Sequence, residues 1–155
     1  MSTLNTWQVK TFEQLSLDEL YDALKLRIDV FVVEQTCYYP DLDNLDRHPE
    51  TRHVFSYNAN NEMIAYLRIL AKGVCYQEYP AIGRVIIAGH ARGKGLAHQL
   101  IKKSLVECSN LYPQQTIKIS AQQHLAQFYN EHGFKQCSEM YLEDGIPHIS
   151  MMLIP

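Results

Sequence analysis

The chain has 155 residues and a mass of 17.9 kDa, the usual size of one domain with its own hydrophobic core. Hydrophobic residues make up 46% and charged residues 20% of the sequence, which argues against a disordered chain. The net charge of −3 argues against a general nucleic-acid-binding protein, because such proteins normally carry a basic face. No apolar run approaches the roughly 20 residues of a membrane-spanning helix, and residues 1–10 lack the apolar core of a secretory signal.

Cysteine spacing gives no sign of a disulfide framework or a structural zinc site. The cysteines are scattered, with no CxxC pair, and they are Cys37, Cys75, Cys108 and Cys137. Free thiols of this kind are typical of a reducing compartment, so the sequence predicts a cytoplasmic protein.

The spacing of apolar residues predicts elements in the order β-α-β-β-β-α-β-α-β-β. The predicted strands are residues 7–12, 53–57, 63–70, 81–87, 116–120, 134–141 and 148–153. The predicted helices are residues 17–32, 96–108 and 125–132. A capping box over residues 16–19 begins the first helix, Gly133 ends the last, and residues 37–49 form a long loop. The order predicts one α/β domain over residues 1–155, with a mixed sheet covered by helices.

The most informative segment is the glycine-rich loop of residues 88–95, which joins an apolar strand to a helix. Such a loop presents unpaired backbone amides, and the helix dipole adds partial positive charge at the same place. Together they form an anion site, most often for phosphate. Arg92 and Lys94 add further positive charge.

Two common phosphate motifs do not fit this loop. A P-loop requires GxxxxGK followed by Ser or Thr, but Gly89 is one residue too close to Gly93 and Gly95 replaces the hydroxyl. A dinucleotide fingerprint requires GxGxxG, but His98 stands where glycine or alanine belongs. A third pattern, Arg/Gln-x-x-Gly-x-Gly/Ala, is matched in full by Arg-Gly-Lys-Gly-Leu-Ala at residues 92–97.

That third pattern resembles the pyrophosphate loop of the GNAT superfamily of acyl-CoA-dependent N-acyltransferases. Residues 82–87 resemble the central strand of that family, and residues 128–134 resemble its later Tyr…Gly-Phe segment. Residues 26–35 and 141–148 are similar to the ElaA-like branch. The resemblance covers nearly the whole chain and implies a mainly antiparallel central sheet flanked by helices.

The resemblance also implies roles for individual residues. The loop amides would hold the CoA pyrophosphate, with Arg92 supporting the loop, and they belong to Gly93, Lys94, Gly95, Leu96 and Ala97. Val85 and Ile87 would offer backbone groups to the pantetheine arm. Tyr129 would be the general acid that protonates the departing thiolate, since a phenol stays protonated at neutral pH. The amine would attack the thioester directly, so no nucleophilic cysteine and no metal are expected.

Candidate acceptor-binding residues come from three places in the sequence. Glu34 follows the first helix directly, where a carboxylate opposes the helix dipole, so it could bind or deprotonate an ammonium ion. Glu143 and His148 flank the last predicted turn, and His148 is either structural or a proton acceptor. The long loop holds a set that could suggest a weak metal site, an acidic rim for cationic amines or a solvated loop, namely Asp41, Asp43, Asp46, His48 and His53.

The function that the resemblance implies is acetyl transfer from acetyl-CoA to a primary amine. A catalytically inactive GNAT-like module that binds acyl-CoA as a sensor or partner is the main alternative, and a nucleotide-binding protein is a more generic one. The acceptor stays open among polyamines, amino acids, antibiotics and protein amino groups. A monomer and a homodimer are both compatible with the sequence, and neither a nucleic acid nor a membrane is an expected partner.

Overall fold

The computed structural model describes residues 5–155 and is built around one eight-stranded sheet. The strands are β1 (Thr6–Lys10), β2 (Arg52–Tyr57), β3 (Met63–Leu70), β4 (Ala81–Ile87), β5 (Ile117–Gln122), β6 (Lys135–Gln136), β7 (Tyr141–Glu143) and β8 (Ile146–Leu153). The helices are α1 (Leu17–Arg27), α2 (Leu96–Leu111) and α3 (Ala126–Asn130). The prediction of no secretory signal depends partly on residues 1–4, which lie outside the described residues.

The sheet has the order β1-β2-β3-β4-β5-β8-β6, with β7 also paired to β8. Among the strands within residues 5–155, only the pairing of β4 with β5 is parallel, and the other pairs are antiparallel. The predicted fold class, a mixed and mainly antiparallel sheet flanked by helices, is therefore confirmed.

The hydrophobic core is centred on β3, all of whose residues are buried. From α2, Leu100 and Ile101 are fully buried against the sheet, as their helical spacing predicts. Helix α1 begins at the predicted capping box: the Ser16 hydroxyl accepts a hydrogen bond from the Glu19 amide at 3.0 Å, and the Ser16 amide donates to the Glu19 carboxylate at 2.9 Å.

Beyond Arg27, the first helix differs from the prediction in its winding. The chain continues as a π-helical segment over Ile28–Glu34, in which the Gln35 amide donates to the Val30 carbonyl at 3.0 Å. Such wide turns are rare and occur often at functional sites. Here the segment leads directly to Glu34 and Gln35, which both contact parts of the candidate site.

The structure of the C-terminal segment differs from the predicted pair of closing strands. Residues 134–141 do not form one strand, because β6 stops at Gln136 and β7 starts only at Tyr141. The turn is also shorter than predicted and consists of Asp144 and Gly145, with φ values of 51° and 78°. An Asp-Gly pair accepts positive φ at both central positions, which a tight two-residue hairpin requires. Glu143 therefore lies at the end of β7, opposite β8.

No helix within residues 5–155 combines the length and apolar character needed to cross a bilayer.

Candidate active site

The sheet opens between β4 and β5, which pair only at Ala81 and Lys118 and then separate. A bulge in β4 accompanies this opening: Arg84 and Val85 together stand opposite one residue of β3. Arg84 has a φ of 55°, a conformation that costs about 1–3 kcal/mol for a residue with a side chain and is concentrated at functional sites. The result is a gap in the middle of the sheet with unpaired strand edges.

The edge of β4 that faces this gap includes the backbone of Val85 and Ile87. In an antiparallel ladder, successive residues direct their amides and carbonyls to opposite sides. Ile86 pairs with β3, and Ala88 donates to the Ile64 carbonyl at 2.8 Å, so the alternate residues face β5 instead. The Ile87 carbonyl accepts a hydrogen bond from Arg92 Nε at 3.1 Å, which leaves the Ile87 amide directed away from β3. Val85, within the bulge, lines the cavity between β4 and β5.

The glycine-rich loop follows β4 and ends at the first turn of α2. Gly93 and Gly95 have φ values of 82° and 75°, and Gly95 is the N-cap residue of α2 without a capping side chain. Both positions are open to space where a Cβ would stand. The 16-residue helix therefore presents its first amides and its positive dipole end without a competing side chain.

Glu34 lies beside this loop and pairs with Arg92. The two side chains form a bidentate ion pair, with distances of 2.9 Å and 2.7 Å from the guanidinium nitrogens to the carboxylate oxygens. The hydrogen bond from Arg92 lowers the pKa of Glu34. Arg92 is thus held between the end of the first helix and the Ile87 carbonyl.

Tyr129 lies on α3 and lines a cavity of about 220 Å³ that extends into the gap. The side chain is buried, with its ring edge-to-face against Phe128 and Phe134. Burial raises the pKa of Tyr129 to about 12. The phenol therefore keeps its proton at any physiological pH.

A polar cluster lines the same cavity on the side of β7 and β8. His148 Nδ1 is 2.7 Å from the Ile146 carbonyl, and His148 Nε2 is 3.3 Å from Glu143 Oε2. The other Glu143 oxygen accepts a hydrogen bond from Ser120 Oγ at 3.1 Å, and Ser120 also contacts the Tyr141 hydroxyl. Glu143 and His148 are thus brought together with Tyr129, whereas Glu34 is not among the residues that line this cavity.

Comparison with known proteins assigns the family. The model of the Acetyltransferase (GNAT) domain matches residues 27–155. The chain belongs to this family. It is 43% identical to protein ElaA of Escherichia coli over 94% of both chains. It is also 38% identical to a UPF0039 protein of Schizosaccharomyces pombe over 93% of both.

Solved structures give the same assignment of the GNAT fold. An acyl-CoA N-acyltransferase from Pseudomonas aeruginosa superposes with a TM-score of 0.90 and 41% identity, over 96% of this chain and 99% of that one. Escherichia coli ElaA also gives a TM-score of 0.90, with 40% identity over 96% of this chain and 99% of that one.

The aspartates in the long loop of this GNAT domain do not form an exposed acidic rim, although other residues of the loop are exposed. Asp41 and Asp46 are buried, with 3% and 6% of their surface exposed. These two and Asp43 form ion pairs with three arginines, namely Arg27, Arg68 and Arg84. The carboxylates are therefore neutralised within the fold, and the expectation that they attract a cationic acceptor is wrong.

Hydrogen bonding and burial have opposite effects on the pKa of Asp43 in this loop. Burial works to raise the pKa of Asp43, but the hydrogen bond and charge of Arg68 outweigh it and lower that pKa to about 2. His53, also in the predicted set, is buried and lies 2.7 Å from the Tyr66 hydroxyl. Within residues 5–155, no three histidine, cysteine or acidic side chains are grouped so that they could hold a metal ion.

Several residues of the GNAT site were missed by the sequence analysis. Arg84 lines the cavity and donates to Asp41 at 2.9 Å, and its signal was a lone charge inside an otherwise apolar central strand. Gln122 donates to Gln35 at 3.3 Å and so joins β5 to the end of the first helix. Ser120 and Tyr141 become recognisable only when β5, β7 and β8 are seen side by side, because no local pattern distinguishes them.

Proposed function

We propose that this GNAT domain transfers an acetyl group from acetyl-CoA to a primary amine. The observation that carries the proposal is that β4, whose edge is unpaired beside the cavity lined by Tyr129, leads directly into the loop that opens at the start of α2. The amides of residues 93–97 would hold the pyrophosphate, and the pantetheine arm would lie along Val85 and the Ile87 amide.

The proposed chemistry needs no covalent intermediate on the protein. A neutral amine attacks the thioester carbonyl, a C–N bond forms, and the C–S bond breaks with its electron pair passing to the CoA sulfur. Tyr129 gives its proton to the sulfur as negative charge develops there, which removes the need to release a free thiolate. The phenol pKa of about 12 exceeds that of a thiol, so proton transfer from Tyr129 to the sulfur is unfavourable by itself. The transfer becomes favourable when Tyr129 recovers a proton. The attacking nitrogen, which must lose one after the C–N bond forms, supplies it.

The size of the site supports a short acyl group. The acyl group and the reacting end of the acceptor would share the cavity of about 220 Å³, which leaves little room for a long chain. We further propose that the acceptor is a small molecule or a protein amino group that enters beside β7 and β8. The proposed compartment is the cytoplasm, because the cysteines are free thiols and because the reaction consumes acetyl-CoA.

The domain is proposed to comprise the whole chain, although the family match begins at residue 27. Strand β1 pairs with β2 along its length, and α1 contributes Ala23 and Leu26 to the common core. Removing these elements would expose the buried face of β3.

Isothermal titration calorimetry with acetyl-CoA, followed by thiol-release assays with a panel of primary amines, tests the proposal. The expected result is binding of acetyl-CoA in preference to ATP and NAD, and thiol release that depends on an amine. Gly95→Asp places a negative charge where the phosphates would sit, and it should weaken acetyl-CoA binding at least about tenfold. Binding without thiol release for any amine would favour a sensor module, and preference for ATP or NAD would refute the proposal.

A further inference from the structure

Both ring nitrogens of His148 lie beside hydrogen-bond acceptors, so one of them has no donor next to it. His148 Nδ1 lies 2.7 Å from the Ile146 carbonyl, which can only accept, so Nδ1 must carry the hydrogen. In the neutral imidazole the lone pair is then on Nε2, and Nε2 lies 3.3 Å from Glu143 Oε2. Two acceptors therefore face each other, and this arrangement is favourable only when a proton or an N–H donor lies between them.

The surroundings keep this pair in position. The ring of Tyr141 stacks on the imidazole at a centroid distance of 6.2 Å and an interplanar angle of 26°. Ser120 donates to the second oxygen of Glu143, which fixes the carboxylate while leaving Oε2 free toward Nε2. The His148 side chain is 10% exposed and that of Glu143 is 48% exposed, so the pair connects the cavity to solvent.

The pair also lies on the same cavity as the proposed general acid. Gln122 of β5 stands opposite His148 in the ladder, and the chain then passes through one turn into α3, which carries Tyr129. Both His148 and Tyr129 line the cavity into which the β4 edge opens. An amine between β7 and the gap would thus meet Glu143 and His148 on the way to the thioester.

We propose that His148 Nε2 is the general base that removes a proton from the acceptor ammonium, and that Glu143 holds the ammonium in place. This inference rests on the proposed acetyl transfer and adds the missing proton acceptor. An aliphatic amine is mostly protonated at neutral pH and has no lone pair for attack. An imidazole is the side chain best suited to exchange a proton near that pH, and its tautomer here places the accepting nitrogen beside Glu143, where an ammonium held by that carboxylate would lie.

The protons balance over the whole reaction. The ammonium gives its first proton to His148, which passes it to solvent along Glu143. The neutral nitrogen then attacks, gives up a second proton as the amide forms, and so restores the proton that Tyr129 transfers to sulfur. The products are the acetylated amine, CoA thiol and one proton released to water, which matches the single positive charge lost by the substrate.

Glu143 and Tyr141 of β7 are in direct contact with His148. The other titratable residues that line the same cavity are Cys37, Tyr39, Arg68, Cys75, Tyr76, Arg84, Tyr129 and Asp144. Of the carboxylates, Glu143 is the one in contact with Nε2, and Arg84 is engaged with Asp41.

The test uses His148→Asn, whose side-chain amide can still donate to the Ile146 carbonyl but has no nitrogen at the Nε2 position. The full-length variant is compared with the wild type and with His124→Asn, the same change at an exposed histidine that is not among the residues lining the cavity. Thiol release from acetyl-CoA is measured between pH 6 and 9 with the best amine of the panel and with its β-fluorinated analogue, whose ammonium is more acidic.

The expected result for His148→Asn is unchanged acetyl-CoA affinity and a fall in kcat/KM of about 10²–10⁴-fold at pH 7. The loss should shrink about tenfold per pH unit, because the variant depends on amine that is already neutral in solution. For the same reason, the fluorinated amine should be less impaired than its parent. His124→Asn should keep the wild-type profile.

Glu143→Gln gives a second test that does not depend on the buried imidazole, because Glu143 is half exposed and glutamine still accepts from Ser120. It should raise KM for the amine about tenfold while lowering kcat less. If both variants keep the wild-type KM and pH profile in an enzyme that transfers acetyl groups, the inference is refuted and the proposed function stands. A wild type that neither binds acetyl-CoA nor releases thiol would overturn both.

Discussion

The phenol of Tyr129 combines a buried ring with a retained proton, and a substitution can separate these two properties. Tyr129→Phe keeps the ring and its edge-to-face contacts with Phe128 and Phe134 but removes the hydroxyl. General acid catalysis contributes about 10²–10⁴-fold, so kcat should fall by that factor while calorimetry gives the wild-type Kd for acetyl-CoA. Near-full turnover in the variant, with bond breaking shown to limit the rate, would mean that water protonates the thiolate.

Glu34 was expected at the acceptor site, but its contacts connect it to the glycine-rich loop instead. Its carboxylate binds Arg92 in a pair whose side chains are nearly half exposed, where ion pairs contribute up to about 1 kcal/mol. Glu34→Gln should therefore weaken acetyl-CoA binding by about 2–5-fold and leave KM for the amine unchanged. A raised amine KM with an unchanged Kd for acetyl-CoA would return Glu34 to the acceptor site.

At the scale of elements, the long loop between α1 and β2 forms a wall of the site only because arginines from three elements hold it. Asp46 accepts hydrogen bonds from Arg27 at 2.8 Å and from Arg68 at 2.9 Å, in a region closed to solvent. Asp46→Asn would leave the buried Arg27 and Arg68 with one carboxylate fewer between them, and this costs up to about 3–5 kcal/mol although Asp41 and Asp43 remain as partners. The free energy of unfolding measured in urea checks this value.

The matched control is Asp29→Asn in the exposed i,i+4 pair of Lys25 and Asp29, whose side chains are 64% and 51% exposed. Screening by water makes such pairs weak, so the free energy of unfolding should change by less than about 0.5 kcal/mol. Equal losses in the two variants would show that the buried network contributes no more than a surface pair.

At the scale of the whole molecule, local patterns and long-range contacts differ in how well the sequence predicts them. The strand, glycine-rich loop and helix around residues 81–111 are encoded by neighbouring residues, so their order and the α2 N-terminus were predictable. The burial of Asp41 and Asp46 was not, because an aspartate-rich stretch has the composition of a solvated loop until Arg27 and Arg68 are brought against it. The pairing of Glu34 with Arg92 likewise depends on contact across 58 positions of sequence.

The stability of the whole fold should decline with acid before its carboxylates titrate, because His53 is buried in the same region. Burial lowers the pKa of His53, against the raising effect of the hydrogen bond with the Asp46 carbonyl. Near pH 6.5 the unfolded chain therefore binds a proton at this histidine that the folded chain does not bind. The free energy of unfolding should therefore fall below about pH 6.5, by up to about 1.4 kcal/mol per pH unit, until the folded-state pKa is reached. His132, whose pKa burial also lowers, adds to this slope. Asp43 acts at lower pH: its stabilisation is full above its unfolded pKa near 3.9 and is lost as the pH falls toward about 2.

Urea unfolding between pH 8 and 5 should give a shallower pH dependence for His53→Gln than for the wild type, with exposed His124→Gln as the control. A variant that is less stable at every pH but has the wild-type slope would assign the acid sensitivity to other groups.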